Sequence, residues 1–72
     1  MWSVERFNEY DANDILFICK SEEFARQAMN KLDRASKNAN YKNNRPVHIG
    51  KLEFTVLFGE KFMVEQVPYI DN

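Results

Sequence analysis

One stretch of this chain is written with a helical period, and the segments on either side of it are written as strands. Ser21 stands before Glu22 and Glu23, and from Phe24 the apolar residues Ala28, Leu32, Ala35 and Ala39 recur at spacings of 4, 4, 3 and 4, with Ala25 and Met29 widening the stripe. The Ser21 hydroxyl is placed to accept from the free amides of a first turn, and the two glutamates put negative charge where the helix dipole favours it. On the opposite face Glu22 precedes Arg26, and Asp33 precedes Lys37, by one helical turn in the favourable acid-first order. The spacing predicts a helix from Glu22 to about Asn38, ending in a polar loop that holds Asn38, Asn40, Asn43 and Asn44. A chain with a single amphipathic helix has one apolar stripe to cover, and the remaining residues must supply the cover.

Those residues read as strands. Residues 2–9 mix Trp2, Val4 and Phe7 with charges and fit a half-buried strand. Tyr10, Asp11, Ala12, Asn13 and Asp14 have turn chemistry, because Asp and Asn side chains bond their own backbone. A hairpin is therefore expected to lead into Ile15, Leu16, Phe17, Ile18 and Cys19, an apolar run short enough for a central strand covered on both faces or nearly so. After Pro46 the period falls to two: Val47, His48 and Ile49 lead into Leu52, Phe54, Val56 and Phe58, alternating with Lys51, Glu53, Thr55 and Leu57. Gly50 is either a bulge or a tight turn. Gly59 and Glu60 separate this strand from residues 62–67, which predicts a second hairpin, and Pro68 ends the last strand or marks it as an edge. The predicted fold is α+β: a four-stranded, mainly antiparallel sheet with one helix packed across one face, in the order ββαββ.

With 72 residues, no internal repeat and no Gly/Ser linker, residues 1–72 are expected to form one compact domain. A domain of this size buries only about 60% of the surface its unfolded chain exposes, so its core must be dense or shared. Ten aromatic residues supply the density. They also exceed what one helix can cover: Trp2, Phe7, Tyr10, Leu57, Met63 and Tyr69 cannot all face it. Either the terminal segments fold over the second sheet face, or that face is exposed and binds a partner or a second copy of the chain. The second alternative makes Trp2, Phe7, Tyr10, Met63 and Tyr69 candidate partner-binding or dimer residues.

Several chemistries are disfavoured. Cys19 is the sole cysteine, so no intramolecular disulfide can form, and together with an opening Met1-Trp2-Ser3-Val4-Glu5-Arg6 that resembles no leader this predicts a cytoplasmic protein. No stretch approaches the roughly 18 apolar residues of a membrane span. Cys19 and His48 are too few for a structural metal site, and Gly50 and Gly59 are too few for a phosphate loop, so neither metal nor cofactor is expected. Cys19 fits a buried core thiol better than a nucleophile, and His48 stands outside any motif. The carboxylates Glu5, Glu9, Asp11, Asp14, Glu53 and Glu65 fit a solvated face, not an acid–base pair. The chain is not expected to be an enzyme.

Charge is segregated although the net is only −1. Residues 1–23 carry two basic side chains against six acidic ones, residues 24–45 six against one, and residues 46–72 two against four. Arg34, Lys37, Lys42 and Arg45, with Tyr41 among them, concentrate the basic charge at the helix C-terminus and the loop after it. There they complement the helix dipole, or form an anion-facing end that touches a protein or nucleic-acid phosphates with Tyr41 available to stack.

The strand-to-helix step Leu16-Phe17-Ile18-Cys19-Lys20-Ser21-Glu22-Glu23-Phe24-Ala25, the aromatic first strand and the ending Phe62-Met63-Val64-Glu65-Gln66-Val67-Pro68-Tyr69-Ile70 resemble small ββαββ-type proteins encoded by bacteriophages. The resemblance spans most of the chain. It implies a non-enzymatic inhibitor or modulator that binds and occludes a host enzyme or complex, such as a polymerase, replication clamp, nuclease or protease, and it transfers no site residue. The sequence thus leads to a small interaction module, with a nucleic-acid-binding accessory protein using the basic end as the alternative.

Overall fold

The structure is a computed structural model and describes residues 1–39 and 44–68. Five strands and one helix follow in the order β1 (Trp2–Arg6), β2 (Asp14–Cys19), α1 (Glu22–Asn38), β3 (Arg45–Ile49), β4 (Leu52–Val56) and β5 (Phe62–Gln66). The helix begins and ends where its sequence signals place it. Ser21 is the N-cap, its Oγ accepting from the Phe24 amide at 3.1 Å, and the Ala39 amide closes the far end on the Ala35 carbonyl at 2.9 Å.

The strands do not form the expected four-stranded sheet. They divide into a three-stranded sheet in the order β2-β1-β5 and a separate two-stranded sheet, β3-β4. Gly50 makes the first difference. Its φ of 60° lies in the left-handed region, and with Ile49 paired to Leu52 it opens a two-residue turn, which makes residues 45–56 a complete hairpin. The second difference is at residues 57–61. The Leu57 amide donates to Glu60 Oε1 at 2.6 Å, while Glu60 Oε2 sits 2.9 Å from Arg6 Nε of β1, an ion pair too skewed to be a hydrogen bond as well. This loop carries the chain to β1, and β5 pairs antiparallel with β1 from Trp2↔Gln66 to Arg6↔Phe62, so the hairpin expected between β4 and β5 does not form. β1 is therefore the central strand of its sheet, and β2, expected at the centre, is an edge.

The two sheets meet through side chains and through α1. The helix lies against strands of both. Its buried line, Ala25, Ala28, Leu32 and Ser36, recurs at helical spacing, and the first three join Val4, Val47, Ile49, Val56 and Phe62 in one core. Phe17 of β2 stacks on Phe54 of β4 at 5.9 Å between ring centroids and meets Phe24 edge-on at 6.3 Å. Polar ties reinforce the seam: Arg6 Nη2 donates to the Thr55 carbonyl at 3.3 Å, Ser36 Oγ to the Glu60 carbonyl at 2.7 Å, and Lys31 Nζ to the His48 carbonyl at 2.6 Å.

Leu32 is fully buried at this junction. Leu32→Ala is expected to cost about 2–5 kcal/mol, a large share of what a domain this small has, and denaturant titration reads it as a lower midpoint. At Gly50 an added Cβ meets nothing within 4 Å. Gly50→Ala is therefore expected to pay only for left-handed backbone, roughly 1–2 kcal/mol, and a larger loss would mean that the turn does more than reverse the chain.

Candidate functional site

Residues directly opposite in an antiparallel sheet share a face, so the pairing of β1 with its neighbours sorts the side chains. Val4 stands opposite Phe17 and Val64, and Trp2 opposite Cys19 and Gln66; this face looks into the core. Ser3 stands opposite Ile18 and Glu65, and Glu5 opposite Ile15 and Met63. That second face points away from α1 and the β3-β4 hairpin, and none of the described strands or helices packs over it.

The uncovered face is apolar at its β2 edge and polar along its middle. Ile15 is 60% exposed and Ile18 47%, on a strand whose outer backbone edge pairs with no described strand. Met63 is half-buried, its sulfur 3.0 Å from Asn13 Nδ2, and Asn13 Oδ1 accepts the Asn8 amide at 3.1 Å, which ties the β1–β2 loop to this face. Between the apolar side chains, Ser3 is buried and Glu5 is only 7% exposed. Ser3 Oγ donates to Glu5 Oε2 at 2.6 Å. Glu65, one strand over, is exposed, and its carboxyl is held above the ordinary value of 4.5 by a hydrogen bond with Glu5, by repulsion from that carboxylate and, last, by burial.

Glu5 was expected on a solvated face, and its near-complete burial beside Glu65 corrects that reading. The missed signal is its register: on a central strand a carboxylate is flanked on both sides, here by Ile15 and Met63. Cys19 and His48 lie elsewhere: Cys19 packs against the core, its thiol donating to the Ser21 carbonyl at 3.3 Å, and His48 stands exposed on β3 opposite Glu53. Among the described residues no three His, Cys, Asp or Glu side chains gather as a metal ion would require.

The residues proposed for an aromatic face are scattered. Trp2 is half-buried on the core side, Met63 is on the open face, and Tyr10, 92% exposed, is in the β1–β2 loop. Phe7 joins Leu57 and Phe58 along a shallow groove with Glu9, Gly59, Glu60 and Lys61. Tyr69 lies outside the described residues, as does the expected cover of residues 69–72 over the second face. At the basic end Arg34 and Lys37 are exposed on the last turns of α1, and Arg45 opens β3. Tyr41 and Lys42 lie outside the described residues. Lys31, not singled out by sequence, extends the basic line along the helix beside Arg34.

The fold and surface therefore define a small two-sheet α+β domain with one sheet face that no described strand or helix covers, and no helix among the described residues is long and apolar enough to cross a membrane. No family model, curated protein or solved structure matches the chain.

The carboxyl pair gives a pH test. A carboxyl whose value is raised by folding favours the folded state while protonated, so its contribution is fully present below about 4.5 and is lost as pH rises through the raised value. Glu65→Gln removes the repulsion and keeps the hydrogen-bonding shape. In thermal melts from about pH 4 to pH 7 the parent is expected to lose Tm relative to Glu65→Gln, and a gap that stays constant across that range would show that the carboxylates do not interact.

Proposed function

We propose that this protein is a non-enzymatic protein-binding module whose contact surface is the open face and β2 edge of the three-stranded sheet. The observation that carries the reading is the exposure of Ile15 and Ile18 on one face of an edge strand whose outer side pairs with no described strand. A sheet edge offers a row of free amides and carbonyls, and apolar side chains flanking it reward a partner that covers them. Covering the half of each isoleucine that is still exposed is worth about 1 kcal/mol apiece, enough to bias association while leaving the fold intact without it. The resemblance to small phage-encoded proteins supports a finer form: an inhibitor or modulator that occludes a host enzyme or complex in the cytoplasm, either alone or as a homodimer. The exposed Glu65 carboxyl beside buried Glu5 adds selectivity to such a surface, because a partner covering it must present a donor.

The second reading, a nucleic-acid accessory protein, is supported by the exposed Lys31, Arg34 and Lys37 along α1. Two charge and surface variants separate the readings. Ile15→Lys/Ile18→Lys is expected to keep the parent's circular dichroism and to lose retention of the partner protein in a pull-down, while Arg34→Glu/Lys37→Glu keeps it. The reverse result moves the contact to the helix. Tight binding to a random duplex that falls by orders of magnitude between about 50 and 200 mM salt replaces protein binding with nucleic-acid binding.

A further inference from the structure

The β2 strand carries an irregularity that selects its partner. Along β1, Val4 pairs with Phe17 and Glu5 with Ile15, so Leu16 is an extra residue and β2 bulges at that point. Leu16 and Phe17 both pack on the core side as neighbours in sequence. Asp14 shares that side with Arg6, and Cys19 shares it with Trp2, whereas Ile15 and Ile18 are on the open face. Read from Asp14 to Cys19, the side chains point in, out, in, in, out, in. Read backwards, the pattern is the same.

We infer that the β2 edge is occupied by the β2 strand of a second copy of this chain, paired antiparallel about a twofold axis at the Leu16–Phe17 peptide. This deepens the protein-binding reading above and rests on it. A regular strand alternates without interruption, so placed against β2 it matches facing side chains on one half and mismatches them on the other. A strand with the same defect in reverse order matches throughout, and a twofold axis supplies that strand. In this register Ile15 faces Ile18 of the partner subunit and Leu16 faces Phe17 of the partner subunit. Slipping the pairing by one residue in either direction sets Ile15 against an inward-pointing side chain. Antiparallel pairing also brings the Asp14 end of each strand beside the Lys20 end of the other, a favourable juxtaposition of unlike charges. The product is a continuous six-stranded sheet, with four isoleucines adjoining on its open face.

The register predicts a crosslink. Asp14 faces Cys19 of the partner subunit, and facing residues in an antiparallel pair lie about 4.5–5.5 Å apart at Cα, within the roughly 4.4–6.8 Å that a disulfide spans. Within one chain the same two positions are separated by five strand residues, about 16 Å, and cannot be bridged. Asp14 is exposed, so Asp14→Cys leaves the core intact. On mild oxidation Asp14→Cys is expected to give a covalent dimer as the major species on non-reducing gels. Adding Cys19→Ser or Ile18→Lys is expected to abolish it. A dimer that survives either second change reflects random thiol collision and overturns the register. If Asp14→Cys stays monomeric on oxidation and the parent sediments as a monomer up to hundreds of micromolar, a second copy is the wrong occupant. The protein-binding reading then stands or falls separately, on whether Ile15→Lys/Ile18→Lys loses a partner that the parent retains.

Discussion

The apolar line on α1 is the one surface that both sheets share. No ladder of backbone hydrogen bonds joins β3-β4 to β2-β1-β5, so the two halves are held by what Ala25, Ala28 and Leu32 bury and by the Phe17–Phe54 stack. Small residues at two of these three positions let the helix approach closely, and Leu32 is fully buried in the same cluster as Val4 and Val56. The polar ties from Arg6, Lys31 and Ser36 lie around this contact and add direction to it. They are exposed or partly so, and interactions of that kind contribute modestly compared with apolar burial.

This arrangement also decides where the molecule is open. With α1 and the β3-β4 hairpin both on one side of the three-stranded sheet, the other side is left to its own side chains. Among the described residues Ser3 and Glu5 are flanked there by their strand neighbours, and Ile15 and Ile18 stand on a strand paired along one edge. The uncovered face is thus a product of topology. Had β5 paired with β4, as the Gly59-Glu60 spacing suggested, β1 would have been an edge and Glu5 solvated.

What the sequence made legible was what is local. Ser21, the paired glutamates and the spacing from Phe24 to Ala39 act within a few residues of one another, and α1 spans the residues they indicate. The strand segments were legible too, apart from the division at Gly50, whose positive φ a one-letter code cannot distinguish from a bulge. Pairing was not legible, because β5 joins β1 through contacts between residues about 60 positions apart, which no local pattern records. The same limit hid the site. The count of aromatics pointed to an uncovered surface, but Trp2 went to the core and the isoleucines of β2 took the exposed positions. The aromatic face presupposes one four-stranded sheet under one helix, and the division into two sheets removes it.

The pairing of β1 with β5 has a kinetic side. Ser3 and Glu65 stand opposite each other although 62 residues separate them, and the Val67 amide reaches the Met1 carbonyl at 2.8 Å. Closing so long a loop is slow and entropically costly. On a ribosome β1 and β2 emerge first and wait, with one side of β1 unsatisfied, until nearly all of residues 1–68 has been made. During that interval β1 presents a free edge of the kind β2 has in the finished three-stranded sheet, and the early hairpin is the stage at which this chain is most exposed to pairing with the wrong strand.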